Sequence, residues 1–140
     1  MPFPYNPKKV TGSWRGITFV GPFNDEFFTV AANADATTEH VGAHGHVSVA
    51  INSDLSALAT IRLVQGSPAN LQLSALVPNA ERNVLNSGPF LIKDLKGADA
   101  VFAESAWIKK VAELKFGNEV VAREWMFFLE KAVITIGGIL

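Results

Sequence analysis

The chain has 140 residues, enough for one domain with its own core, and 49% of them are apolar while 18% are charged. Its formal net charge is −1 without a long basic run, which argues against a protein that holds nucleic acid on a basic surface. The lack of cysteine excludes disulfides, thiol catalysis and thiolate metal sites. Because soluble domains average about 25% charged residues, we expect either a tightly packed β domain or, preferably, a surface covered by other subunits.

The N-terminus predicts an extended arm over residues 1–12, followed by a single domain over residues 13–140. Pro2, Pro4 and Pro7 each fix φ and remove a backbone donor, which disfavours a helix there. This segment also lacks the apolar region of a signal peptide. The last apolar stretch, residues 132–140, is too short to span a membrane. We therefore expect no membrane segment.

Four β-strands are predicted in the first half of the chain. The first covers residues 14–20 and ends at the turn signal Gly21-Pro22. A long strand of small and polar residues covers 27–41, and another follows over 46–54, where Val47, Val49 and Ile51 alternate with polar or small residues. The fourth covers 56–65. Gly42 and Gly45 supply the backbone freedom for a hairpin reversal between the second and third strands.

One helix is predicted over residues 68–77. Ser67 is a favourable N-cap, Pro68 occupies the first helical position, and Pro78 ends the helix. An apolar stripe of helical period faces the core, with Asn70 and Gln72 directed outward. The stripe consists of Ala69, Leu73, Leu76 and Val77. Residues 79–88 read as a loop.

The second half of the chain predicts a hairpin over residues 89–110, with its turn at 96–99, and then a connector over 111–118. Residues 119–131 are compatible with a helix, but the valine pair and the aromatic run Trp125, Phe127, Phe128 favour a strand. The predicted fold is therefore mainly β, a β-sandwich or barrel with one short helix near 68–77.

All three histidines lie in the segment "HVGAHGH", residues 40–46. Zinc binding by His40, His44 and His46 is one interpretation, since two of them face the same way in an extended segment. However, Gly45 interrupts the extended geometry, and no second-shell partner can be named. Polar turn residues without a metal are the preferred interpretation, and no metal or other cofactor is expected.

No enzymatic motif is recognisable in the chain. "GSWRG" has the wrong spacing for a nucleophile elbow, and no phosphate-binding loop or zinc-protease motif is present. Asp25 and Glu26 are adjacent, so their side chains diverge and form a poor acid/base pair. A ligand-binding barrel is a second alternative. Its pocket would be lined by aromatic side chains, for which core packing is the preferred role: Trp107, Trp125, Phe127 and Phe128.

Over residues 5–130 the chain resembles the tail tube proteins of contractile-tailed (myovirus) bacteriophages. The resemblance is carried by five segments in this order: "PYNPKKVTGSWRG", "VGAHGHVSVAINSDLSALATIRL", "GSPANLQLSAL", "FLIKDLKGADAVFAESAWIKK" and "FGNEVVAREWMF". Each segment alone is a weak signal, but together and in order they are fairly specific. The tubes of type VI secretion systems and R-type pyocins are related to this family.

The resemblance implies a structural virion protein that forms stacked homo-hexameric rings. Long hairpins from each subunit would join into a continuous inner barrel, which removes the strand edges. With six subunits, about 24 tilted strands at about 4.8 Å spacing enclose a lumen roughly 50 Å across. The hairpin residues His40, Gly42, His44, Gly45 and His46 would form inter-subunit or stacking contacts. Candidate lumen-facing residues are Asn33, Asp35, Thr37, Glu39, Ser48 and Asn52.

The resemblance further implies a location and a set of partners. The protein would be assembled in the host cytoplasm and reside in the phage tail. Its partners would be a tail sheath protein, a tail terminator and a baseplate or tube initiator. DNA would pass through the lumen without stable binding. The ligand-binding barrel and, less favoured, a metal-dependent enzyme at the histidines remain the alternatives.

Overall fold

Antiparallel strands dominate the computed structural model, which describes residues 2, 4–24 and 26–137. The chain begins with a 3₁₀ turn at Pro7–Lys9 and contains the helix α1 at Pro68–Ser74. The strands are β1 (Val10–Trp14), β2 (Ile17–Thr18), β3 (Phe28–Ala32), β4 (Thr37–Val41), β5 (Val47–Ile51), β6 (Ala57–Val64), β7 (Gly88–Asp94), β8 (Ala100–Lys110), β9 (Ala122–Leu129) and β10 (Ala132–Thr135). This confirms the mainly β class and the short helix.

Eight of these strands form one sheet in the order β2-β1-β7-β8-β9-β6-β3, with β10 paired to β8 beside the end of β9. Contacts across the core show that the sheet is bent: Trp14 of β1 and Phe90 of β7 both pack against Phe127 of β9. The eleven-residue strand β8 joins the half of the sheet that contains β1 and β7 to the half that contains β9 and β6. Its pairings with β7 and β9 both contain register shifts. Among the described residues, the hydrogen-bonded path begins at β2, ends at β3 and does not close.

Aromatic side chains fill the core between the two halves of the sheet. Phe127 of β9 lies 5.2 Å from Trp14, 5.7 Å from Phe19 and 5.4 Å from Phe90, measured between ring centroids. Such tilted and edge-on pairs each contribute about 0.5–1.5 kcal/mol beyond area burial. The Trp14 indole also donates to the carbonyl of Ala106 at 2.9 Å, so its polar atom is satisfied inside the core. We call this sheet with its core and helix the body.

The helix α1 begins as predicted, with Ser67 as its N-cap and Pro68 at its first position. Ala69 and Leu73 are buried, as the apolar stripe predicted. The outward orientation predicted for Asn70 is wrong. Its amide nitrogen donates to the carbonyls of Val64 and Gln65, and its oxygen accepts from the Trp125 indole at 3.0 Å. A polar residue thus joins the helix to both β6 and β9.

The strand predicted over residues 14–20 is wrong, because the chain reverses at Arg15 and Gly16. Their φ values are 52° and 81°. Two successive left-handed residues make the turn whose twist matches a β-hairpin, but arginine at the first position gives no sequence signal for it. Strand β1 instead begins at Val10, so the end of the predicted arm lies in the sheet.

The single strand predicted over residues 27–41 is interrupted at 33–36, where β3 ends and β4 begins later. Strand β9 confirms the strand assignment made for residues 119–131. The hairpin predicted over 89–110 is also confirmed, as β7 and β8 joined at 95–99. The predicted arm includes residues 1 and 3, the acidic pair includes Asp25, and the predicted domain extends over 138–140; these positions lie outside the described residues.

Candidate assembly surfaces

Strands β4 and β5 form a separate two-stranded sheet, which we call the hairpin arm (residues 37–51). Nine of its ten strand residues are exposed, and only Thr37 is partly covered. The reversal lies at residues 42–45, where Gly45 has φ of 85° and the Gly42 amide donates to the carbonyl of His46 at 2.8 Å. The predicted hairpin is thus present, and it extends away from the body.

The hairpin arm has one apolar face, because its register places the branched side chains of both strands together. Val41 pairs with Val47, Glu39 with Val49 and Thr37 with Ile51. The exposed fractions of the four apolar residues on this face are far above those of core residues. They are 63% for Val41, 61% for Val47, 58% for Val49 and 85% for Ile51. An isolated two-stranded hairpin is at best marginally stable in water, so this face is a candidate interface.

The histidines occupy the opposite face and the tip of the arm. His40 pairs with Ser48 on the face away from the valines, and His44 lies in the reversal. All three histidine side chains are exposed. Across the part of the chain that the structure describes, no three His, Asp or Glu side chains are arranged to hold a metal ion.

A network of short polar side chains forms an elbow where the hairpin arm meets the body. Asp54 accepts from both the amide and the hydroxyl of Ser56, at 3.0 and 2.6 Å, and its own amide donates to Asn52 at 2.9 Å. From the other strand, the Asn33 amide group donates to the Ser56 hydroxyl at 3.0 Å. The elbow therefore fixes the base of the arm with side-chain hydrogen bonds where the regular ladder is interrupted.

The elbow also perturbs a titrating group. Hydrogen bonds from the Ser56 hydroxyl, and then from the Ser56 amide, hold the pKa of the Asp54 carboxyl below its ordinary value, although desolvation opposes them. Hydrogen bonds to a carboxylate favour its ionised form. The elbow is thus built around a negatively charged aspartate.

The six candidate lumen residues do not share one surface. Asn33 and Asn52 are used in the elbow, where their side chains make hydrogen bonds within the chain. Thr37 and Glu39 lie on the valine face of the arm, whereas Ser48 lies on the histidine face. Asp35 is in the interruption between β3 and β4. These positions stay predictions, and they cannot all face one lumen through a single face of the arm.

A second segment, predicted only as a connector, has an exposed apolar surface that was not recognised in the sequence. Residues 111–121, which we call the connector, join β8 to β9 without regular secondary structure. Leu114, Phe116 and Val120 are between 67% and 76% exposed. Their irregular spacing gives no strand or helix period, so the sequence carried no signal for them. The connector was predicted over residues 111–118, and in the structure it extends three residues further, to residue 121.

The connector is held in place by the buried side chain of Arg123 in β9. This side chain is only 7% exposed, and its Nη1 donates to the carbonyl of Lys115 at 3.0 Å. Its guanidinium carbon lies 5.6 Å from the ring centroid of Phe116. The connector thus has a fixed attachment, while its apolar side chains face water.

Charge is unevenly distributed along the sequence. From Gly16 to Ile61 there is no Lys or Arg, although this stretch includes five acidic residues. All 12 basic residues lie outside it, together with eight acidic ones. The hairpin arm and its base are therefore purely acidic, apart from the histidines, and the rest of the chain has a net positive formal charge.

The aromatic residues considered for a ligand pocket divide between the two faces of the sheet. Trp125 and Phe127 are buried in the core. Trp107 and Phe128 stack on the other face, with ring centroids 5.2 Å apart. Because the two pairs are separated by the sheet, they do not line a common pocket. No described helix meets the length and apolarity that crossing a membrane requires.

An exposed apolar arm, an exposed apolar connector and open sheet edges define a protein built for association with other subunits. The comparison with known sequences identifies which one: the family described as "Bacteriophage PhiTE tail tube protein" matches residues 12–137, so the chain belongs to this family. It is a structural protein of the phage tail tube. It is also 29% identical over 142 residues to "Structural protein ORF10" of Pseudomonas phage KPP10, covering 96% of this chain and 82% of that protein.

Solved structures show the same fold at low identity. The sheath/tube terminator of the extracellular contractile injection system PVC, in its extended state, superposes with a TM-score of 0.64 at 13% identity, covering 96% of this chain and 99% of the other. The PVC sheath-tube complex gives a TM-score of 0.63 at 12% identity, with 94% and 91% coverage. The tube-terminating cap of the anti-feeding prophage gives 0.59 at 11% identity, with 96% and 93% coverage.

Proposed function

We propose that this chain assembles into six-fold rings that stack to form the tube of a contractile phage tail. The observation that carries the proposal is the hairpin arm, whose four apolar side chains are exposed by more than half although the body has a complete core. An apolar strand pair without a covering layer requires a partner. In a tube built from many copies of one chain, this partner is another copy of the same chain.

The open edges of the body sheet support closure within a ring. Among the described strands, β3 is paired on one side only, with β6, and it ends the hydrogen-bonded path. Joining such an edge to the sheet of a neighbour, around a six-fold axis, satisfies its free backbone groups. A barrel made in this way requires several subunits, which agrees with the open sheet of the single chain.

The charge distribution supports a role as a DNA conduit. A lumen lined by part of the acidic stretch would repel phosphates. The absence of Lys and Arg between residues 16 and 61 removes the groups that would retain DNA. Genome passage would then be fast and without stable binding.

The proposed partners follow from the contractile systems to which the fold is similar. A PVC sheath-tube complex and a PVC sheath/tube terminator are among the similar structures. By analogy, the outer surface of the tube would contact a tail sheath protein, and its ends a terminator and a baseplate or tube initiator. Assembly would take place in the host cytoplasm, and the finished protein would reside in the virion tail.

Negative-stain electron microscopy at rising protein concentration, together with mass from light scattering, tests the proposal. Six-fold rings and hollow tubes are the expected result. Rings that never stack would instead favour a tube cap or terminator, and a persistent 15.1 kDa monomer would contradict self-assembly.

A further inference from the structure

We infer that the hairpin arm of one copy docks on the connector of a copy in the adjacent ring. This inference rests on the proposed stacking function and names the two surfaces that meet. The arm and the connector are the two exposed apolar features already described, one with Val41, Val47, Val49 and Ile51, the other with Leu114, Phe116 and Val120.

The two features lie at opposite ends of the same pair of strands. The arm leaves the body at Ala57 of β6, which pairs with Leu129 of β9. The connector enters at Ala122 of β9, which pairs with Val64 of β6. Eight paired residues separate them, and at about 3.3 Å per residue the ends are about 23 Å apart.

This placement makes the interface head-to-tail. The arm cannot be covered by its own connector, because it projects with nearly all its residues exposed from the far end of the sheet. When two different surfaces of one chain complement each other in this way, each added copy presents a new free surface. Repetition along the strand direction then gives an open stack, which is the growth that a tube requires.

Charge also favours the connector end as the receptor. The arm and its elbow contain Glu39, Asp35 and Asp54 and no basic residue other than histidine. At the other end, Lys109 and Lys110 are exposed where β8 leads into the connector. Lys115 pairs with Glu113 of the connector itself, at 3.4 Å. Lys109 and Lys110 together outnumber Glu119, the other carboxylate of the connector, so a net positive charge faces the acidic arm and adds attraction to the apolar contact.

The connector is organised for docking before any partner arrives. Arg123 fixes the main chain at Lys115 and lies against the Phe116 ring. A receptor held in its bound conformation loses less conformational entropy on binding than a mobile loop. Phe116 thus presents a ring at a defined position, and the valine face of the arm supplies the complementary apolar surface.

Disulfide cross-linking tests the inference directly, because the chain has no cysteine of its own. In the double variant Val49→Cys/Phe116→Cys, each arm cysteine would meet a connector cysteine of the next copy. Mild oxidation of assembled tubes should give a ladder of covalent oligomers on non-reducing gels. The matched control is Val49→Cys/Val133→Cys, since Val133 is 60% exposed but lies on β10, at the arm end of the sheet. It should give no ladder.

A mixing experiment covers the case in which the cysteine variants fail to assemble. Val49→Asp blocks the arm and Phe116→Asp blocks the connector, so each variant alone should form rings that do not stack. In an equimolar mixture, the intact arm of one variant can dock on the intact connector of the other. Paired rings with about twofold the mass of a single ring are expected.

The outcomes separate the inference from the function on which it rests. Wild-type protein that never assembles would overturn both. Wild-type tubes together with assembled Val49→Cys/Phe116→Cys protein that yields only monomer would overturn the docking of arm on connector and leave the tube function standing. Tubes formed by either aspartate variant alone, or a mixture that never exceeds single rings, would do the same.

Discussion

The body and the hairpin arm are built from the same type of strand pair but differ in what covers their apolar face. In the body, burial alternates along β6 and β9, so that every second residue of these strands is buried. In the arm, β4 and β5 alternate too, yet the valine face is exposed. A period of two in the sequence therefore predicts that a strand has an apolar face, but it does not show whether the same chain or another subunit covers that face.

The largest effect on folding is expected in the core of the body. Phe127→Ala should lower the free energy of unfolding by about 3–5 kcal/mol, because it leaves a cavity among three aromatic rings. Urea denaturation monitored by circular dichroism measures it. Phe128→Ala is the matched control, since its ring stacks only on Trp107 on the other face, and it should cost less than half as much. Equal losses would contradict the assignment of the core face.

A smaller effect is expected at the polar junction between helix and sheet. Asn70→Ala should cost about 1–3 kcal/mol, because two carbonyls and the Trp125 indole lose their partner. Gln72→Ala, two residues along the same helix on its exposed side, should change stability by no more than about 0.5 kcal/mol. Thermal unfolding of both variants is the measurement, and indistinguishable melting temperatures would show that Asn70 makes no net contribution.

The elbow between body and arm is expected to depend on pH. Because hydrogen bonds from Ser56 lower the folded-state pKa of Asp54, their stabilisation is complete above the ordinary aspartate pKa of about 3.9. It is lost as the pH falls through the lower, folded-state pKa. The Ser56 amide resonance in NMR spectra should therefore titrate below that ordinary value. In Asp54→Asn this titration should vanish, and its persistence would assign the shift to another group.

The smallest effect on folding is expected in the arm itself. Val49→Asp should change the unfolding free energy of the monomer by no more than about 0.5 kcal/mol, because the side chain is already in water. Its effect should appear only in assembly, measured by light scattering. Ser48→Asp, on the opposite face, is the control and should assemble more readily than Val49→Asp. A loss above about 1 kcal/mol for Val49→Asp would mean that the arm packs on its own body.

Long, regular elements were predictable because their signals are local. The N-cap Ser67 with Pro68, the alternation in β9 and the hairpin of β7 and β8 each follow from neighbouring residues. The reversal at Arg15 was not predictable, because a left-handed arginine is held by its surroundings rather than by preference. Asn70 was misjudged for a related reason, since its partner Trp125 is 55 residues away in the sequence.

The candidate site divides in the same way. The hairpin at residues 42–45 and its histidines could be located from glycine spacing, and the family resemblance gave the hairpin a role in assembly. The connector was predicted as a segment, but its apolar surface was not, because Leu114, Phe116 and Val120 follow no period and their exposure depends on how Arg123 anchors the loop. The lumen candidates were chosen by polarity, which does not distinguish an elbow residue such as Asn33 from a surface residue.

The sequence by itself determined the class of fold, the order of the elements, the low fraction of charged residues and the absence of Lys and Arg from residues 16–61. These properties depend on composition and on interactions within a few residues. Only the tertiary structure decided which apolar faces are covered, which polar groups are paired across the sheet, and that arm and connector lie at opposite ends of one strand pair. Burial and register are set by strands far apart in the chain, so no local pattern contains them.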